Sequence, residues 1–244
     1  DELKIMIDGK VDATNGSALL NPLVSIASLL VGAKTTDTNI NFEGEMDEIC
    51  IWNIARAEAD IRTDMYLLKD GTETGLVACW QNDESSGPII DLISLFSGAV
   101  NGSIGRVTSN IPAGIGNSTR IGSVSGGSNV FGSTGITINL NGLVGLMEMV
   151  VTKIDRAPRG TQATDDFPAL TAVSPSHWII RAFGVGTFTN ADVSVDLGGS
   201  GLISNTDASN PGNLKMLRRG SNSNGNWSMP VTATTANASS GNLT

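Results

Sequence analysis

The sequence predicts an all-β chain with one short helix. Glycine is abundant, at 29 of 244 residues, and Ser, Thr and Asn fill the breaks between short apolar runs. Period-two alternation recurs from one end of the chain to the other. One stretch, near residues 57–68, instead carries apolar residues at helical spacing. Short strands joined by many turns satisfy all three observations.

The length of 244 residues suits one large or two modest domains, and a hydrophobic fraction of 40% is enough for a packed core. The net charge of −9 argues against nucleic acid as a partner, because phosphate binding needs a basic face. The nearest thing to a basic cluster is the pair Arg218-Arg219. With no run of eighteen apolar residues, no membrane insertion is expected. The chain opens at Asp1 and enters a strand almost at once, and it closes in a Ser/Asn/Thr-rich tail at Thr244. Both ends read as those of a fragment of something longer.

Leu3 to Ile7 alternates, Asp8-Gly9 reads as a hairpin turn, and Val11 to Ala13 begins the return strand. Ser28 to Val31 reads as a short strand stopped by Gly32, and Ala33 to Asn41 as a polar loop. Phe42 to Asn53 organises this half. Alternation sets Asp47, Ile49 and Ile51 on one face and Glu48, Cys50 and Trp52 on the other. Both faces are apolar from Ile49 onward, which predicts a strand covered on both sides. Asp47 and Glu48, where that strand meets a turn, are expected to bind loop backbone. Ile61, Met65 and Leu68 then predict a helix from about Ala57 to Leu68, with Glu58, Asp60 and Asp64 near its positive end. Leu76 to Trp80 is a second covered strand, and Asp83-Glu84 with the following Ser-Ser-Gly is a turn. Cys50 and Cys79 lie in the two most apolar strands; free buried thiols and a disulfide both remain open.

From Leu92 to Met147 there is no Asp or Glu, and the charges are Arg106 and Arg120. Frequent glycine and low charge suit a linker, with a boundary near Ile111-Pro112. The chain thus divides into 1–109 and 110–244. In the second part Ile136 to Leu140, Leu146 to Ile154, Ser176 to Arg181, Phe188 to Leu197, Leu214 to Arg219 and Trp227 to Val231 read as strands. Six short strands with turns between them predict a β-sandwich. Pro158, Pro168 and Pro175 bracket a loop.

Phe42, Gly44, Asp47, Glu48, Trp52 and Asn53 resemble the closing strand of laminin-G-like, or concanavalin-A-like, jelly-roll domains. The likeness extends from Ile7-Asp8-Gly9-Lys10 and Leu30-Val31-Gly32 down to Ile61 and Gly75-Leu76-Val77-Ala78-Cys79-Trp80. It implies the later half of an antiparallel jelly-roll sandwich with one short helix, N-terminally truncated. Trp178-Ile179-Ile180, Phe188 to Val195, Leu214 to Arg219 and Trp227 resemble a C-terminal β-module of large secreted proteins of Bacteroidetes-type bacteria. Together these likenesses imply an extracellular or bacterial cell-surface location. In pentraxins, which share the jelly-roll architecture, loop carboxylates after the corresponding strand bind calcium. Here that loop offers Asp37, short of the six to eight oxygens calcium takes.

The chemistry-bearing residues are sparse. His177 is the lone histidine and stands in an apolar strand, where a structural role is expected. No Cys-x-x-Cys, His-Glu-x-x-His or phosphate-binding glycine loop occurs. Some jelly-roll glycosidases carry Glu-x-Asp-x-x-Glu on one strand, as nucleophile and acid. Glu45, Asp47 and Cys50 occupy those positions, so the last carboxylate is a cysteine. Sequons at Asn15, Asn101, Asn117, Asn226, Asn237 and Asn242 follow from the Gly/Ser/Asn-rich composition. The expectation is a non-catalytic extracellular binding or adhesion region, with no catalytic, cofactor or metal residues. Its ligand would be a glycan or a protein, held by Ala33 to Asn41 together with Asn82 to Ser86. A structural spacer displaying an upstream domain, and a glycosidase-related jelly roll that has lost its acid, are the alternatives.

Overall fold

The computed structural model describes residues 2–16, 28–34, 37–102, 104–109, 111–158, 173–197, 203–219, 227–237 and 242–244, without the side chains of 34, 37–40, 228–231 and 242–243. Among them the fold is all-β: antiparallel strand pairing dominates, and the two α-helices are short. The chain forms two compact units, 1–55 with 70–107 and 56–69 with 108–244. Residues 56–69, which carry the helix, therefore cluster with the second unit, where the sequence reading leaves them with the first.

The first unit is a set of two-stranded ladders. Strands β1 (Leu3–Ile7) and β2 (Lys10–Asn15) form a hairpin. Its turn is Asp8-Gly9, with φ of 50° and 74°. Both turn residues are left-handed, the geometry that matches the twist of the flanking strands. Leu3, Ile5 and Ile7 share one face by alternation, and all three are exposed. Ser28 to Val31 is not a strand; pairing begins two residues later, between β3 (Ala33–Lys34) and β4 (Asp37–Asn41). The polar stretch read as a loop is thus a short hairpin. A short apolar run makes a strand only when a partner edge meets it, and here the nearby edge lies in the polar segment.

Strands β5 (Ile49–Trp52) and β6 (Leu76–Trp80) pair antiparallel, with Cys50 opposite Cys79. The two cysteines are disulfide-bonded. The expected double cover is absent. Ile51 is 38% exposed, and Ile49, Cys50 and Trp52 are half-buried. The buried apolar side chains of this ladder are Ala78, Cys79 and Trp80, on β6. Asp91 is fully buried beside them. Its carboxylate accepts backbone N–H bonds from Cys79 (2.9 Å), Ile93 (3.1 Å), Leu95 (3.0 Å) and Phe96 (2.9 Å). Burial pushes such a group up, but the four donors outweigh it and hold Asp91 below the usual carboxylate range. The indole of Trp80 donates to the Phe96 carbonyl at 2.9 Å, closing the same loop from its other end.

The second unit is a β-sandwich. Helix α1 (Glu58–Asp64) is shorter than its amphipathic stripe predicts. It packs along β7 (Gly116–Ile121) and β10 (Met147–Ile154). Arg62 anchors it. Its guanidinium reaches Glu148 on β10 (3.3 Å) and Glu58 one turn back (3.2 Å). It also lies 4.8 Å from the ring centroid of Phe183. Arg120 of β7 takes the same Glu148 oxygen at 2.8 Å. The turn after the helix is pinned to the chain entering β7, through Gly114 N–H to the Tyr66 carbonyl and Leu68 N–H to the Gly114 carbonyl, both 3.1 Å.

Strand β8 is Gly127–Val130, β9 is Ile136–Asn141, β11 is His177–Gly184 and β12 is Asn190–Asp196. Helix α2 (Asn205–Ser209) is capped by Ser204, whose hydroxyl accepts from the Asp207 N–H. Strands β13 (Lys215–Arg218) and β14 (Ser228–Thr232) pair with each other. With β15 (Ala236–Asn237) and β16 (Asn242–Leu243) they complete the order. One sheet runs β11-β10-β7, the other β15-β16-β12-β9-β8. Ile136, Ile138 and Leu140 of β9 form one buried cluster with Met147, Met149 and Val151 of β10. Val124, Phe131 and Val195 complete it, and Ala191, Val193 and Trp178 pack against it. The alternation of β9 and β12 therefore sorts inward and outward residues as their sequences predict. In β10 both faces are covered, and Val150, Thr152 and Ile154 are buried on the parity opposite the sandwich core.

Candidate functional site

One residue, Met46, lies beside Gly32, which precedes the first loop singled out from sequence, and bonds Asn82, which begins the second. Gly32 stands at the entry to the β3–β4 hairpin, and its carbonyl accepts from the Phe42 N–H at 2.8 Å as the chain leaves it. A Cβ at Gly32 would lie 3.3 Å from the Met46 Cε. From the other loop, the Asn82 side-chain amide donates to the Met46 carbonyl at 3.1 Å. Asn82 takes a left-handed φ of 56°, which asparagine accommodates more readily than most residues. Met46 thus ties the root of Ala33 to Asn41 to the start of Asn82 to Ser86. Nothing in the sequence marks this methionine; the junction follows from the pairing of β5 with β6.

Of the two carboxylates expected to bind loop backbone at the corner beyond Met46, Asp47 is seen to do so. Glu48 has a φ of 51°. Asp47 Oδ1 accepts from the Glu48 N–H at 3.0 Å, so this side chain holds the turn. Of the other residues in the glycosidase-like spacing, Glu45 is exposed, and Cys50 is engaged in the disulfide.

Loop Asn82 to Ser86 is fixed downstream as well. Glu84 Oε1 accepts from the Ile90 N–H at 2.8 Å. Arg106 donates to the carbonyls of Glu84 and Gly87 and lies 3.8 Å from the Glu84 carboxylate. Beside these residues is an open groove of about 660 Å³, walled by Gly87, Pro88, Val100 and Ile104, with Arg106 in its lining.

The Asp37 side chain, on which the calcium expectation rests, lies outside the described residues. Among the described residues no group of three or more His, Cys, Asp or Glu side chains comes together in a metal-binding arrangement. His177 is half-buried at the start of β11, and its Nδ1–H donates to the Arg156 carbonyl at 2.8 Å. Burial, then the charges of Arg219 and Arg156, push its pKa down, against the hydrogen bond. Among the described residues no helix is long and apolar enough to cross a membrane. No protein-family model, curated protein or solved structure matched this chain on comparison.

Proposed function

We propose that this chain is a non-catalytic extracellular binding or adhesion region. In this reading the first unit is the later half of a laminin-G-like jelly roll, and its ligand is a glycan or a protein. The observation that carries it is the convergence on Met46. Two loops separated by some forty residues of chain, both selected as ligand-binding from sequence, begin beside the same methionine, and an open groove starts at Gly87, just past the second of them. A binding surface needs such loops held by a scaffold, so that little ordering is left to be done when the ligand arrives. Three carboxylates of this unit are engaged in structure: Asp47 on its turn, Glu84 on Ile90, Asp91 on its loop. That favours recognition over acid–base chemistry.

The test is a glycan panel together with pull-downs from extracellular protein mixtures, using the full chain and Asn82→Ala. Ligand capture by the parent chain is expected, with binding about five- to tenfold weaker in Asn82→Ala, the effect of one lost anchoring hydrogen bond. Failure to bind any glycan or protein would overturn the assignment and move the chain to the spacer reading. In that reading deletion alters display of a neighbouring domain and leaves binding unchanged.

A further inference from the structure

We propose that the sandwich of the second unit docks on the interfacial layer of a lipid bilayer through the tip formed by 142–146 and 185–188, without crossing it. This goes beyond the reading of the first unit and does not depend on it. The tip consists of two neighbouring connections, β9 to β10 and β11 to β12. Val144 is 71% exposed, Leu146 75% and Val185 86%, and Phe188 beside them is also exposed. Exposed apolar side chains are common singly. Four on two touching loops form a patch, and patches carry meaning.

Three further features point to lipid as the occupant. First, the two loops and their flanks are joined by four backbone hydrogen bonds. Val144 N–H donates to the Thr187 carbonyl and Thr187 N–H to the Val144 carbonyl, both at 2.9 Å. Gly186 N–H donates to the Leu146 carbonyl at 2.8 Å, and Thr189 N–H to the Asn141 carbonyl at 2.9 Å. Non-helical backbone tolerates an apolar medium only when its polar groups are paired within the protein. Second, the approach is built with glycine. A Cβ at Gly184 would lie 2.7 Å from the Leu146 carbonyl oxygen, and one at Gly186 would lie 2.8 Å from the Met147 Cβ. Larger residues would pry the loops apart and expose the paired groups. Third, no ionisable residue stands between Ile121 and Met147 or between Ala182 and Ala191. A tip entering the headgroup layer would therefore have no charge to desolvate. It also offers no charge for directional recognition, which a protein partner would exploit at its rim. The medium implied is neutral or zwitterionic, since neither loop offers a cation to anionic lipid.

The experiment is co-sedimentation of the full chain with phosphatidylcholine vesicles at millimolar lipid. Parallel arms contain phosphatidylglycerol, and salt is varied. Binding to the neutral vesicles is expected, independent of salt. Leu146→Asp and Val185→Asp are expected to lower the partition coefficient about tenfold or more. Ile115→Asp, at an exposed apolar position outside the tip, should leave it unchanged. A Val185→Trp reporter should shift its emission to the blue when vesicles are added. Absence of vesicle binding would overturn the proposal. So would binding confined to anionic vesicles and lost in salt, or binding insensitive to both aspartates. Tip-dependent self-association without lipid binding, read by analytical ultracentrifugation, would assign the tip to a second copy and overturn it equally.

Discussion

Asp91 shows how one side chain can hold a segment that has little core of its own. Residues 91–96 form no regular structure, yet four backbone N–H groups, three of them in this segment, find an acceptor in a single buried carboxylate. Asp91→Ala would leave the Cys79 N–H unpaired in a buried position and remove the acceptor of the three part-buried donors at Ile93, Leu95 and Phe96. Each buried donor left unpaired costs about 1–3 kcal/mol, so the first unit should lose roughly 3 kcal/mol or more. Denaturant titration followed by hydrogen exchange at 76–96 reads this directly; an unchanged midpoint would refute it. His177 makes the second residue-scale prediction, through pH. Its folded-state pKa lies below the ordinary 6.5, because burial and two arginines disfavour the imidazolium. The unfolded chain therefore binds more protons in the window between the two values. The associated stability is complete above about pH 6.5 and is lost as pH falls toward the folded pKa. The second unit should melt at a lower temperature at pH 5 than at pH 7. His177→Asn, whose amide can still donate to the Arg156 carbonyl, should flatten that part of the slope.

At the scale of elements, legibility followed one physical distinction. A strand with one wet and one dry face writes its burial into its own sequence, so β9 and β12 could be read directly, while the β1–β2 hairpin, exposed on both faces, was legible from its Asp8-Gly9 turn. Strand β5 carries apolar residues at both parities, which signals two covered faces, but what covers a face is a property of other segments. In the first unit too little packs against it, and Ile51 remains exposed. The disulfide was undecidable for the same reason. Periodicity shows that Cys50 and Cys79 lie in strands, while only the register sets one opposite the other. Helix α1 was legible as an amphipathic stripe, but the stripe does not name its sheet. A seven-residue helix is too short to persist alone and depends on what it packs against. Arg62, Glu148, Arg120 and Phe183 supply that support, from four segments that no local window joins. Of the candidate site, the loops were visible as polar breaks between strands. Their junction at Met46 was not, because it depends on long-range pairing.

Taken as a molecule, the chain distributes its stabilising contacts unevenly. The sandwich of the second unit has a continuous buried cluster contributed by β9, β10, β12 and the connections around Val124 and Phe131. In the first unit, burial of large apolar groups centres on Trp80 and Cys79, while Leu3, Ile5, Ile7, Leu95 and Phe96 are exposed. The cross-link therefore carries more of the first unit's stability than its size suggests. Cys50 and Cys79 are 29 residues apart in sequence. Closing a loop of that length in the unfolded chain is worth about 3–4 kcal/mol in the chain-entropy account. The segment it closes includes residues 56–69, which leave the first unit, pack with the second, and return. Two unfolding transitions are expected in guanidinium, the earlier belonging to the first unit. Dithiothreitol, or the double substitution Cys50→Ser/Cys79→Ser, should move the earlier transition to lower denaturant. The later one, followed by exchange protection of 136–154, should stay in place. A single coincident transition, or an equal shift of both on reduction, would show that the sandwich draws its stability from the cross-linked ladder and does not stand on its own core.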